Sequence, residues 1–421
     1  MTNPYKTISD PTDHSKTIII TLFFTIFIAV TYGFGRYLFS VIVPDMKADI
    51  GFDYLVVGII TGSAQLAYLA AALSSGILTP RLGAGRIILG SVFICGLCLI
   101  LLGFAKNIWV IGGLLIILGS CAAFVWVPMV AVVSHYIPFQ HRSKVLGLMS
   151  SGTSYGVFIN GLIAPFFITH YHWSYVWFAV GIATLLITVL AFFSLASTGI
   201  FSMSEMPSKK TLKPQNFSLK KNKEIISRTN IIIWLLLFFC GLSCTPFQTY
   251  LVPFIRDELM FPVEAAGRIW SIIGFVGMGS GFAIGALSDK TGIRFALTIT
   301  GSLLVLAAIL ICLHTTFYHL IIAGIAFGLA FYAIFGLVPA YISKTTAIEQ
   351  STIVFGMGNV MLGFGSMIGD FVSGLLKTTT GTFFWTYVCI ATIAVIMVVL
   401  SWLLPNEKTF LKAKTVDFEF S

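Results

Sequence analysis

Two ionisable residues stand well inside long apolar runs, whereas nearly all other charges lie between the runs. Arg36 sits in Tyr32-Gly-Phe-Gly-Arg-Tyr37, and Asp370 ends Gly365-Ser-Met-Ile-Gly-Asp370. A charge near the centre of a bilayer costs about 2.5–3.5 kcal/mol by insertion scales, so such residues face a cavity and find a partner there. A guanidinium in that position offers a planar fork to a carboxylate or another anion. Asp370, the only embedded acid, is the candidate for proton coupling. Each residue also has a plainer reading. Arg36 can snorkel to the outer surface, and Asp370 can be a packing residue or a partly solvated helix end. With runs bounded at 18–41 and 353–376, Arg36 lies five residues from the outer end of its run and Asp370 about six, so a pair is feasible.

Polar residues share the helical faces of these two. Asn359, Ser366 and Asp370 fall with Gly363 on one stripe, and Tyr32 and Ser40 flank Arg36 at i−4 and i+4. Thr153, Asn160, Thr245, Gln248, Gln65, Tyr68, Trp126 and Tyr332 lie in other runs. Each is open to two readings, interhelical hydrogen bonding or ligand contact. Every histidine lies in a loop or at the end of a run, and there is no HExxH, nucleotide-binding loop, catalytic cluster or repeated pore-loop filter. All seven cysteines lie in apolar runs, and Cys95-x-x-Cys98 reads as buried thiols. No enzyme activity, metal or cofactor is expected, and a channel or an intramembrane enzyme is disfavoured.

The elements that must position these residues are membrane helices. The chain is 57% hydrophobic and only 10% charged, against about 25% charged in soluble domains. Twelve runs are long enough to cross the hydrocarbon, at 18–41, 55–78, 87–104, 108–133, 145–168, 174–196, 231–254, 264–287, 295–313, 317–341, 353–376 and 382–404. The first is too long for a signal-peptide core and lacks a clear cleavage site, so it counts as a span. An even count places both termini on one side. The loops on that side carry 19 of the 25 Lys and Arg, which makes it the cytoplasmic side of the cell membrane. The formal charge of +9 is thus a topology signal and not a nucleic-acid surface. The expected organisation is a cytoplasmic tail at 1–17, a six-helix bundle at 18–196, a basic linker at 197–230 that can lie on anionic lipid, a second bundle at 231–404, and a cytoplasmic tail at 405–421.

One polar stretch, Gly285-Ala-Leu-Ser-Asp-Lys-Thr-Gly-Ile-Arg294, occurs twice. Gly76, Leu78, Arg81 and Gly83 match Gly285, Leu287, Lys290 and Gly292 at an offset of 209 residues. The same offset pairs Val43-Pro44 with Val252-Pro253, Lys47 with Arg256, Phe52 with Phe261 and Gly58 with Gly267. The chain is therefore a tandem duplication. As a local reading, the second copy is a tight loop at a membrane surface. In it Gly285 lets helices approach, Gly292 permits a positive φ, and the bases Lys290 and Arg294 hold the cytoplasmic side. In the first copy Pro80 stands where the second has Asp289.

This stretch resembles the loop signature of the major facilitator superfamily, G-x-L-x-D-[RK]-x-G-[RK]-[RK], with Ile293 in one of the closing basic slots. The Gly-x-Gly-Arg of the first run, with Pro44-Asp45, resembles the YbfB-like bacterial branch. The resemblance implies an all-α fold of two pseudo-symmetric six-helix bundles that rock about a central site. It implies a monomeric secondary transporter of a small organic solute, with protons as coupling ion. An anionic or carboxylated solute is favoured by Arg36. It also raises Arg36, Tyr32, Gln65, Trp126, Asn160, Gln248, Tyr332 and Asn359 as substrate contacts, because spans 1, 4, 7 and 10 line the superfamily's cavity with 2, 5, 8 and 11 beside them. The alternative is efflux of amphipathic drugs or a metabolite. Drug antiporters of the superfamily usually carry an Arg in span 4 and G-x-x-x-G-P in span 5; here span 4 has no base and Val157 stands in the Pro slot. Rows of glycines in span 5 (Gly147, Gly152, Gly156, Gly161), span 8 (Gly277, Gly281, Gly285) and span 11 (Gly365, Gly369) read as static packing or as sliding surfaces.

The basic bias makes a direct prediction. Reporter fusions at Ser208 and at the C-terminus should both report cytoplasm; an external signal at either overturns the topology.

Overall fold

The computed structural model describes residues 11–137, 139–196, 225–313, 316–346 and 348–407. The twelve spans are helices at Lys16–Ile50, Tyr54–Leu82, Ala84–Phe104, Ile108–Val133, Val145–His170, Trp173–Ala196, Arg228–Glu258, Val263–Thr291, Ile293–Leu313, Phe317–Thr345, Gln350–Thr380 and Phe384–Leu403, numbered 1 to 12 in that order. Hydrocarbon offers the backbone no hydrogen-bond partner, so an apolar run of this length closes its own bonds as a helix. Most of the basic linker expected at 197–230, up to residue 224, lies outside the described residues, as do 1–10 and 408–421 of the expected tails. The first helix begins at Pro11, inside the expected 1–17 tail.

Span 1 is the largest departure from the sequence reading. It continues past residue 41 to Ile50, with Pro44 accommodated inside it, and residues Ala29–Tyr37 are π-helical. The polar stretches also shrink. Helices run on through Leu82 and Thr291, so Arg81, Asp289 and Lys290 occupy last turns and not loops. The turn is one glycine in each copy, Gly83 at φ 86 and Gly292 at φ 101. Gly76 and Gly285 mediate no close approach, since a Cβ on either would meet nothing within 4 Å. Arg294 opens span 9 with its guanidinium over the Trp402 ring at 5.5 Å. The adjacent N-terminus is capped by Glu407, whose Oε1 accepts from the Ile293 N–H at 2.6 Å.

The two bundles repeat each other's packing. Spans 1 and 5, 2 and 4, 3 and 6 pack as do 7 and 11, 8 and 10, 9 and 12, and the halves meet through the pairs 2–11 and 5–8. The 209-residue offset holds at the level of single contacts. Gly156 lies on Ala29 and Gly33, and Gly365 lies on their repeat mates Phe238 and Leu242. Gly58 meets the backbone of Asp370, and its mate Gly267 meets Gly161. Of the glycine rows, Gly152, Gly156, Gly365 and Gly369 pack within a half and Gly161 lies between the halves, as do Gly58 and Gly274 outside those rows. The end of the molecule that carries Gly83 and Gly292 is termed the terminal face; the end that carries Gly51 and Gly381 is the far face.

A Cβ at position 365 would lie inside the contact radius of the Phe238 carbonyl oxygen. Gly365→Leu should therefore lose more than the ~1–3 kcal/mol typical of overpacking, whereas Gly285→Leu should fold normally. Yield of monodisperse protein and the thermal unfolding midpoint in detergent check this. A Gly365→Leu variant as stable as its parent would remove the contact.

Candidate functional site

The full length of span 1 places Arg36 deep. From position 36 to Ile50 the helix runs fourteen residues, about 21 Å at 1.5 Å per residue, so Arg36 lies well short of that helix end. Asp370 is likewise ten residues from the far end of span 11 at Thr380, about 15 Å and not six residues' worth. The π-helical turns set the side-chain directions here. They are seated by Gly33 against Gly156, and the Gly33 carbonyl accepts from Asn160 Nδ2 at 2.7 Å.

Arg36 is enclosed by neutral groups. Its Nη2 donates to Gln65 Oε1, and its guanidinium lies over Tyr68 at 4.9 Å, Tyr32 at 5.7 Å and Tyr37 at 5.9 Å. The Tyr32 and Tyr68 hydroxyls are 2.9 Å apart. Among the described residues the ion pairs are Asp45–Arg256, Glu258–Lys377 and Asp49–His172, so no carboxylate lies within ion-pair distance of Arg36, although Asp370 is within its electrostatic reach. Asp370 does not pair with it in this conformation. The acid is buried, one carboxyl oxygen has no partner, and the Thr61 and Thr249 side chains flank the group. Its backbone carbonyl accepts from the Tyr250 hydroxyl at 2.8 Å, and its Cα region is the seat of Gly58. Asp370 thus occupies the repeat position of Gly161, in a close contact between the halves. Tyr37 lies within electrostatic reach of both Arg36 and Asp370.

The other candidates divide. Among the described residues Asn160 Oδ1 and Gln248 Nε2 are buried without partners, and the Tyr332 hydroxyl and Ser154 Oγ have none beyond each other. Tyr332 and Ser154 meet over Gly277. An orphaned buried polar atom is costly unless something else completes it, so these four are open valences around the centre. Trp126 packs against the core and hydrogen-bonds to no described residue. Asn359 donates to its own helix, at Phe355 O, 2.9 Å away. Thr245, the repeat mate of Arg36, donates to Ser366 at 2.8 Å and joins spans 7 and 11. Two participants were missed, Tyr37 and Ser154. Tyr37 follows Arg36 directly, and neighbours on an α-helix point apart by about 100°, so the face-sharing pattern of the sequence does not select it. Ser154 carries no sequence signal.

At the far face the halves are latched. Arg256 of span 7 pairs with Asp45 of span 1, Tyr54 donates to Asp257 at 2.5 Å, and the Leu55 N–H donates to Thr378 at 3.2 Å. On the other flank Thr169 donates to Glu264 at 2.5 Å. Nearby, Lys377 reaches Glu258 at 2.6 Å within the second half. At the terminal face Asp289 makes no hydrogen bond or ion pair with any described residue. The conformation is therefore one with the far face closed.

Twelve membrane-capable helices in two six-helix halves, with a polar centre between them, define a multi-pass membrane transporter of small molecules. Residues 25–338 match the Major Facilitator Superfamily, and the chain belongs to that family. It is 22% identical to the benzoate transport protein of Acinetobacter baylyi, over 94% of this chain and 91% of that one. It is 23% identical to multidrug resistance protein 2 of Bacillus subtilis, over 86% and 90%. In three dimensions it is similar to a bacterial homolog of the human lysosomal transporter Spinster in an inward-facing, unoccupied conformation. That likeness has a TM-score of 0.74 and 16% identity, over 96% of this chain and 98% of that one.

The latch yields a prediction. The Asp45–Arg256 bond joins two partly buried charges, and such a bond is worth about 1.5–3 kcal/mol. Arg256→Gln should shift the population toward far-face opening by roughly tenfold or more. Spin labels at Lys106→Cys and Met260→Cys, in different halves, should report a longer distance. An unchanged distribution would show that other contacts hold this face.

Proposed function

We propose that this protein carries small organic carboxylates, aromatic ones foremost, across the cytoplasmic membrane by alternating access. One observation carries the reading: a guanidinium at mid-depth has no carboxylate of its own and is walled by three tyrosine rings and a glutamine. A carboxylate can take the planar fork of Arg36, and an aromatic body can lie against Tyr32 and Tyr68. Gln65 would then be released to the substrate's edge. Asn160, Gln248 and Tyr332 offer their open valences to polar substituents, with Trp126 and Asn359 as further wall residues. The benzoate-transporting relative supports the aromatic class. The drug-efflux reading has a relative too, but the absence of a base in span 4 and Val157 in span 5 weigh against it.

In this reading Asp370 is the proton-coupling carboxyl. It sits where spans 2 and 11 press together, so its protonation state and the closure of the far face bear on each other. The terminal face is cytoplasmic, as 19 of 25 basic residues argue. There Arg81, Asp289, Lys290 and Arg294 flank the one-glycine turns and rearrange when that face closes. A single chain supplies the whole central site, which supports a monomer.

The test combines binding and transport. Benzoate and hydroxybenzoates should raise the thermal unfolding midpoint of the purified protein, by the equivalent of ~2.7 kcal/mol at a hundredfold excess over Kd, whereas sugars and cationic dyes should not. Arg36→Ala should abolish the shift, and Arg36→Lys should weaken it most for carboxylates. In proteoliposomes Asp370→Asn should keep counterflow and lose proton-driven uptake. A carboxylate shift unaltered in Arg36→Ala, or a shift with cationic dyes alone, overturns the reading.

A further inference from the structure

Spans 3 and 6 pack tightly through their far-side lengths. Gly96 lies on Leu185 and Thr184, Gly103 on Phe178, and Gly181 on Ile100. The Phe104 and Phe178 rings are 4.7 Å apart. Toward the terminal face the two helices part. They leave a groove of about 550 Å³ whose walls include Gly90 and Phe93 of span 3 and Val189, Phe192 and Phe193 of span 6. A Cβ at Gly90 would meet nothing within 4 Å. Phe193 is 70% exposed and Val189 53%, so the groove faces outward, to the lipid. Arg86 stands at its terminal-face mouth, exposed, and makes no hydrogen bond or ion pair with any described residue.

The duplication supplies an internal control. The repeat mates of Gly90, Val189 and Phe193 are Ile299, Val398 and Trp402. In the second half Val398 packs on Gly301, and Trp402 covers the guanidinium of Arg294. In the second half Trp402 thus covers a nearby guanidinium, Arg294, while the repeat position of Arg86 itself is Phe295. The first half leaves both the space and the charge open.

We infer that this groove is a binding site for an anionic phospholipid, with an acyl chain along Gly90 and the phenylalanines and the phosphate on Arg86. An apolar channel that ends in a guanidinium with no partner among the described residues is complementary in both parts to such a molecule. Arginine matches phosphate with two parallel hydrogen bonds. The site does not depend on which solute is transported. Bound there, the lipid would brace the terminal ends of spans 3 and 6 as the Trp402–Arg294 contact joins spans 12 and 9.

Native mass spectrometry of the full-length purified protein tests this with phosphatidylglycerol and phosphatidylcholine. The wild type should retain phosphatidylglycerol preferentially. Arg86→Gln should lower that retention about fivefold, the worth of one basic residue at an anionic surface, and leave phosphatidylcholine unchanged. Gly90→Ile, which copies the second half, should lower retention of both lipids, while Gly281→Ile, in equally open space, should lower neither. Thermal unfolding midpoints confirm that the variants are folded. Inorganic phosphate and glycerol phosphate, which lack chains, should not displace the lipid. Unchanged phosphatidylglycerol retention in Arg86→Gln and Gly90→Ile, equal retention of the two lipids by the wild type, or displacement by free phosphate would each overturn the assignment.

Discussion

A positive charge in the middle of a bilayer is the constraint around which the centre of this protein is built. Water is absent there, so the protein must supply what water would. Around Arg36 it does so with neutral groups: one amide oxygen and three aromatic faces. Such a shell tolerates the cation without cancelling it. A carboxylate in the same place would form an ion pair that a substrate would have to break, at the cost of leaving a buried charge behind. The neutral shell leaves the guanidinium complementary to an anion that arrives from outside.

The backbone geometry serves the same end. The nine residues Ala29–Tyr37 are π-helical, and within them Tyr32, Arg36 and Tyr37 lie close together. Gly33 and Gly156 let spans 1 and 5 touch at that level, and Asn160 reaches the Gly33 carbonyl across the contact. The second half keeps the glycine contact, at Gly365, but has Thr245 where the first has Arg36. Duplication thus built a symmetric frame, and substitution made its centre asymmetric. The same holds for Asp370, which stands at the repeat position of Gly161 and carries a carboxyl into a contact that its counterpart makes with no side chain at all.

Closure at the far face follows from charge as well as from packing. Asp45 and Arg256, Tyr54 and Asp257 lie beyond the apolar middle of the helices, where water can take over each partner when the bond breaks. Bonds of that kind hold a conformation without making it permanent. The close glycine contacts beneath them, Gly58 at Asp370 and Gly267 at Gly161, give the halves surfaces on which to meet.

The sequence by itself determined the architecture. Twelve apolar runs have one stable solution in hydrocarbon, and the 209-residue offset, read from Pro44 and Pro253, Gly58 and Gly267, Gly83 and Gly292, carried through to individual helix contacts. It also singled out Arg36 and Asp370, because a lone charge in an apolar run is costly whatever surrounds it. Depth, partners and direction were decided by the tertiary structure. Span 1 passes through Pro44 to Ile50, since a proline in a packed membrane helix can have its freed carbonyl satisfied by neighbours, and this moves Arg36 from near a surface to the interior. Gly285 reads as a contact glycine by spacing but faces open space, whereas Gly365, with the same local sequence character, touches backbone. Arg36 goes to Gln65 and the tyrosines and not to Asp370, because a π-helical turn, invisible to any 3.6-residue pattern, sets where the guanidinium points.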